Sequence, residues 1–357
     1  MKSKILKIFA CAVFLSAGGI TLSAGQPALP YPEETESVKH GVTYFLRGIF
    51  TRQEEKTVLH TEDGRVFLLE VSPELIGGYE GKTVEIWGKA KQSDEISEIK
   101  VTEVKEYEPP AEVIIPPPYK SRFRPAGLLE ETAESFKIGD ARWIDPHNPS
   151  EEYLWKEVVI KPELLKNAYF AAKKGEKGPA GHSLLFFEFE DGGIVDHDGN
   201  SSRGFFLSVE AYAREGQSYS VFTGLKNAYG IVWMIITFEE YSLRTAFFGD
   251  SSLHFFPILL SREDKIRMAA EAVRLATINR EGEFYHTVTN SCTNNLVIVM
   301  NRVLPEDKKI KMWIIPSFIY NFRATMPWTV PRYLQRKNLL GPEEFAITKE
   351  NLREYIP

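Results

Sequence analysis

The chain has 357 residues, enough for two domains, and a formal net charge of −6 with no basic stripe, which argues against a dedicated nucleic-acid binder. Hydrophobic residues make up 43 % and aromatics 12 %, sufficient for a sizeable core. There are two cysteines, Cys11 and Cys292.

Lys2, Lys4 and Lys7 precede an apolar run from Ile8 to about Leu22, and the small residues Ser23-Ala24-Gly25 follow. This is the layout of a secretory signal over residues 1–24, either cleaved after Ala24 or kept as an anchor. Cys11 lies early in that run without a lipobox before it, so a lipoprotein is not expected. No other window holds enough consecutive apolar residues to span a bilayer. The mature chain is therefore expected to be periplasmic or secreted. Cys292 is then its one cysteine, with no internal partner in a compartment where disulfides persist. Such a thiol is either buried and inert or put to use.

Residues 38–108 read as all-β. Strands are expected at Thr43–Phe50, Thr57–Thr61, Val66–Val71, Thr83–Ala90 and Ile96–Lys105, with turns at Asp63-Gly64, Gly77-Gly78 and Gly81. Five short strands suit a small Greek-key barrel. The stretch Tyr79–Ala90 resembles the centre of bacterial OB-like modules, which implies either a docking or structural role or ligand binding. Pro109, Pro110, Pro116, Pro117, Pro118 and Pro125 mark residues 109–125 as a semi-rigid linker.

The second domain spans 126–357. A short helix is expected around Leu128–Ser135, then strands at Asn167–Lys173, His182–Glu190, Phe205–Tyr212 and Ile231–Thr237, and an edge-like strand at Leu253–Leu259. Ser261 with Asp264 three residues on forms a helix start, and Ile266, Ala269, Ala270 and Val273 keep helical spacing. A second helix is expected from about Thr293 to Val303, stopped by Pro305. Strands grouped before helices indicate an α+β domain.

Asn290 and Ser291 are both good N-cap residues, so Cys292 falls in the first turn of a core helix. There the helix dipole and unpaired N–H groups favour an anion, which lowers a thiol pKa and suits an oxyanion. A nucleophilic thiol needs a base. Of the histidines, His182 follows a glycine and opens an apolar strand, where it can reach a helix N-terminus packed on the sheet; a strand-start histidine meeting only water is the plain alternative. His286 is near in sequence but its ring direction is unconstrained. If the strand Phe205–Tyr212 pairs antiparallel with the His182 strand through a turn at Asp196–Asn200, Ser208 and Glu210 share one face and Glu210 comes nearest His182. A carboxylate in so apolar a run needs a partner, and Arg214 or Arg244 could supply one instead. Tyr285, Asn290 and Ser208 are further candidates for oxyanion or orienting roles. Asp196-x-Asp198-Gly199-Asn200 has the start of a calcium loop without its closing glutamate, and no zinc spacing occurs, so neither metal nor cofactor is expected.

Gly181-His182-Ser183-Leu184-Leu185-Phe186-Phe187-Glu188-Phe189, Leu207-Ser208-Val209-Glu210 with Arg214-Glu215-Gly216, and Phe284-Tyr285 to Asn290-Ser291-Cys292-Thr293-Asn294-Asn295-Leu296 together resemble the Lnb N-terminal periplasmic domain family. The resemblance covers about Asn167 to Leu340. It implies a circularly permuted papain-like fold, Cys292 and His182 as the family's thiol and histidine, and acyl transfer of the lipoprotein N-acyltransferase type. Family members often read Asn-Asn-Cys-Thr-Thr where this chain has Asn-Ser-Cys-Thr-Asn.

The expected function is that of an exported acyltransferase or amide/ester hydrolase on a cell-envelope lipid, lipopeptide or peptide, with peripheral membrane contact compatible and oligomeric state open. Met312–Tyr320 and Trp328 could line an acyl groove or be core. A peptidoglycan peptide hydrolase and a non-catalytic periplasmic scaffold with a decayed site are the alternatives. The distance from Cys292 to His182 separates the scaffold from the enzyme.

Overall fold

A computed structural model describes residues 35–356, apart from 37, 54–55, 93–96, 110–115, 176–180, 312, 315–318, 321–326 and 328. The expected signal lies outside the described residues. So do the side chains of the proposed groove from Met312 to Tyr320, and Trp328.

The alternating N-terminal segment folds as β1 (Thr43–Gln53), β2 (Lys56–Thr61), β3 (Val66–Glu70), the single turn α1 (Pro73–Ile76), β4 (Thr83–Gln92) and β5 (Ser97–Glu106). β1 pairs with both β2 and β4, β3 runs parallel to β5, and β4 pairs with β5, so the ladder closes on itself as a barrel. Period two puts every second residue of β4 inside. Phe50, Leu59, Val84, Ile86 and Ile99 fill a core separate from that of the rest of the chain. The described end of the proline-rich segment is fastened rather than free: Lys120 N–H bonds Ala213 O, and Glu215 N–H bonds Pro118 O.

The remainder is a mixed α+β domain. Its strands are β6 (Gly127–Glu131), β7 (Phe136–Trp143), β8 (Leu154–Ile160), β9 (Leu165–Gly175), β10 (Gly181–Phe189), β11 (Ile194–Asp196), β12 (Gly204–Tyr212), β13 (Tyr229–Thr237), β14 (Ser251–Pro257) and β15 (Phe284–Tyr285). They join one sheet whose main path runs β11-β8-β7-β13-β12-β10-β9-β14 and ends on the three-residue strand Phe345–Ile347. The helices are α2 (Val221–Gly224), α3 (Phe238–Ser242), α4 (Arg262–Ala276) and α5 (Cys292–Val303), followed by α6 (Val330–Arg336) and α7 (Leu352–Tyr355). α5 packs on β10 and β12, and α4 lies beside α5 and over β9. Phe186, Phe206, Phe238 and Phe255 are fully buried on one face of the sheet and Phe187 and Phe205 on the other.

Three expectations are corrected. Leu128–Ser135 is not a helix; Gly127–Glu131 is a strand paired with β7, because sheet pairing outweighs the helix preference of Leu and Glu. The strand at Leu253–Leu259 is not an edge, since Phe345–Ile347 covers its outer side. The His182 and Glu210 strands are not joined by a simple hairpin; β11 intervenes and pairs with β8, while β10 and β12 still pair antiparallel.

The barrel and the sheet meet along 281–285. Phe45 N–H bonds Gly282 O at 3.1 Å, Tyr44 bridges Glu283, and the Trp87 ring stacks on Phe284 at 5.5 Å. Lys39, just before β1, reaches Glu283 Oε1 at 2.5 Å and Asn295 Oδ1 on α5 at 2.8 Å. Glu283 also holds Arg280 at 3.1 Å. Its carboxyl is buried, which alone would raise its pKa, but Lys39 and Arg280 hold it down at about 2.

Candidate active site

The β10–β12 ladder pairs Leu185 with Leu207 and Phe186 with Phe206. Carried to the open end of β10, that register sets His182 across from Glu210, with Ser208 on the same face. The side chains meet. His182 Nε2 lies 2.9 Å from Ser208 Oγ and 3.2 Å from Glu210 Oε1, and the Ser208 hydroxyl donates to Glu210 Oε1 at 3.0 Å. The two arginines that could have claimed Glu210 are engaged elsewhere: Arg244 with Glu240, Arg214 with Pro117 O and Tyr119.

Ser291 caps α5. Asn294 Oδ1 accepts from its backbone N–H at 2.9 Å and from its hydroxyl at 2.6 Å. Cys292 is thus the first helical residue, and it is 5 % exposed. One residue on, Thr293 donates its hydroxyl to Ser183 Oγ at 3.2 Å, tying the first turn of α5 to the residue after His182. The imidazole of His182 and the backbone N–H of Ser183 are the groups near the Cys292 sulfur that favour its anion.

Charge follows this geometry. Burial pushes the Cys292 thiol up, yet the His182 charge and hydrogen bond, helped by Ser183 N–H, bring it below its ordinary value. Burial pushes His182 down, but Glu210 and Cys292 outweigh it and raise the imidazole to about 10. Burial likewise opposes ionisation of Glu210, and His182 and Ser208 hold it at about 2. All three shifts run in the direction that favours a thiolate–imidazolium pair steadied by a carboxylate.

The three groups open on a cavity of about 670 Å³. Tyr285 and Tyr241 line it, and burial first, then neighbouring negative charge, raises both phenols well above their usual value, so each stays a proton donor. Lys173, Arg122, Arg142 and Arg244 also line it.

Of the further candidates, Ser208 joins the hydrogen-bonded chain and Tyr285 the cavity wall. Asn290 does neither. Its amide donates to Glu283 Oε1 at 3.0 Å and Phe284 O at 2.7 Å, and its oxygen accepts from Asn295, so it braces the segment before the helix. His286 Nδ1 accepts from the Val288 and Thr289 N–H groups, closing a local turn. Asp196 is held by Lys156 and by the backbone and side chain of Asn200. Sequence reasoning missed Ser183, Thr293, Lys173 and Arg122. Lys173 carried a signal: it ends an expected strand, and it pairs across the ladder with His182.

No curated protein and no solved structure matches the chain. The family model of the Lnb N-terminal periplasmic domain matches residues 154–330, a span that contains His182, Ser208, Glu210, Tyr285 and Cys292. Among the described residues no helix is long and apolar enough to cross a membrane. Residues 154–330 are thus identified as an Lnb N-terminal periplasmic domain.

Proposed function

We propose that this protein is a thiol acyl enzyme, an acyltransferase or an amide/ester hydrolase acting on an acylated cell-envelope substrate. The observation that carries the reading is the meeting of Cys292, His182 and Glu210 at one cavity, with the imidazole held by Glu210 and near enough to the sulfur to favour its anion. That arrangement favours an enzyme over a scaffold with a decayed site. The order histidine, carboxylate, cysteine along the chain is that of a permuted papain-like domain, and the closed five-strand ladder ahead of it fits an OB-like module with a structural role.

The Cys292 thiolate attacks the carbonyl carbon of an ester or amide. His182 Nε2 is taken by Ser208 and Glu210, so Nδ1 is the nitrogen placed to serve the reaction. The imidazolium gives its proton to the departing alcohol or amine as the thioester forms. The neutral ring then takes a proton from water or an acceptor amine as that nucleophile attacks the thioester, and the thiolate leaves. Glu210 and Ser208 keep the ring oriented throughout, as the third group of a triad does. The N-terminal end of α5 offers positive potential to the oxyanion.

Intact-mass spectrometry after incubation with lipopeptides, and separately with muropeptides, tests this. A hydroxylamine-sensitive acyl adduct is expected in the wild type with lipopeptide and not in Cys292→Ala. Adduct or cleavage with muropeptides alone would move the assignment to peptide hydrolysis, and no turnover of either class would sink the acyl reading.

A further inference from the structure

Resting on that acyl reading, we infer that Arg122 and Lys173 form an anion subsite in the same cavity, one that takes a phosphate group of the acyl substrate beside Cys292. Lys173 stands directly across the β9–β10 ladder from His182, so its side chain emerges on the face that carries the imidazole. Arg122 reaches the cavity from the turn before β6. Among the described residues neither makes an ion pair; the fixed neighbour of the Lys173 ammonium is the face of Tyr241, at 5.9 Å. Glu210, the carboxylate whose charge both cations feel, is committed to His182.

The opposite wall adds positive charge. Arg142 and Arg244 share the single carboxylate Glu240, their Nε atoms at 3.0 and 3.1 Å from the same oxygen. Glu151 is the other acidic lining residue, with its side chain exposed. Burial presses the Lys173 ammonium below its ordinary value, and although Glu210 works against this, Arg142 and Arg122 press it further. Gathering unpaired cations in a recess is unfavourable unless an anion arrives to occupy it. Arg122 and Lys173 come from separate elements and do not present one planar fork. A tetrahedral phosphate, whose oxygens point in several directions, suits such a pair better than a flat carboxylate does.

The test compares two reagents that alkylate the same sulfur. Iodoacetate is anionic and iodoacetamide is neutral, and taking the ratio of their rates within each protein cancels changes in thiolate content. With an anion subsite, iodoacetate reacts with full-length wild type at least as fast as iodoacetamide, and the ratio falls roughly fivefold or more in Lys173→Gln and in Arg122→Gln. Inorganic phosphate or glycerol 3-phosphate slows iodoacetate in the wild type, and acetate at equal ionic strength does not. Protection by phosphatidylglycerol vesicles at lower phosphate concentration than by glycerol 3-phosphate assigns the site to a lipid headgroup; the reverse order assigns it to a soluble phosphate ester. Ratios that stay constant across both variants overturn the subsite while leaving the thiol chemistry standing, and so does protection by acetate equal to that by phosphate. A Cys292 inert to both reagents removes the acyl reading and this assignment with it.

Discussion

Replacing His182 with alanine removes the cation that keeps Cys292 ionised, and the size of the effect follows from what remains. Burial alone pushes the thiol up; the His182 charge does most to bring it down. In the variant the thiol therefore titrates at an ordinary value or above. A thiol of pKa ~8.5 is about 3 % ionised at pH 7 and about 0.3 % at pH 6. Each unit by which a thiol pKa is depressed also costs nucleophilicity, roughly a factor of three. Setting the two against each other, His182→Ala is expected to react with iodoacetamide severalfold slower than wild type at about pH 6, and faster than wild type by about pH 9.5, where the variant thiol is ionised too and its thiolate is the stronger nucleophile. Rates by intact mass from pH 5 to 10 read this directly in protein carrying Cys11→Ser, where Cys292 is the one cysteine. Equal rates for the two proteins across the range would refute the ion-pair account.

The same charges bear on other variants. In Glu210→Gln, His182 loses the carboxylate that leads its upward shift, so its ring titration moves from about 10 toward the ordinary range; an NMR titration of the ring that is unchanged would count against that role. Because the folded His182 pKa is raised, its contribution to stability is fully present below about 6.5 and is lost as pH climbs through about 10; urea midpoints of wild type and His182→Ala should converge over that window, and a constant difference would contradict it. Lys39→Met leaves Glu283 buried with Arg280 as its one remaining cation, and we expect a loss of about 2–4 kcal/mol in urea unfolding; coincident curves would dismiss the junction as a stabilising contact. Gly282 has φ +82° and a Cβ there would sit 2.5 Å from Phe45 O, so Gly282→Ala should lower Tm and alter Trp87 fluorescence as the Phe284 stack parts; an unchanged Tm would show that the junction yields freely.

The barrel was legible because its strands alternate and its turns carry glycine, and each expected strand lies within a few residues of the observed one. The register of the candidate site was legible for a related reason: antiparallel pairing of two apolar strands left one face on which Ser208 and Glu210 could meet His182. Three features were not legible. The strands Phe136–Trp143 and Leu154–Ile160 have no clean alternation, since β7 is buried on both faces over most of its length. Asn290 and Ser291 are equally good caps by type, and packing decided between them: Ser291 took the cap while Asn290 turned inward to Glu283. Lys39 and Arg122 act on residues remote in sequence, and nothing near them in the chain says which neighbours folding will bring.

Ser183 and Thr293, whose hydroxyls join the two halves of the site, are 110 residues apart. Until the sheet closes and α5 docks, no charge or N–H group stands beside the sulfur, and Cys292 is as mild as any thiol in solution. Its reactivity is latent in the chain and comes into being only with the finished fold, at the moment when burial also shields it. An incompletely folded molecule in the oxidising periplasm therefore carries no exposed, ready-made thiolate.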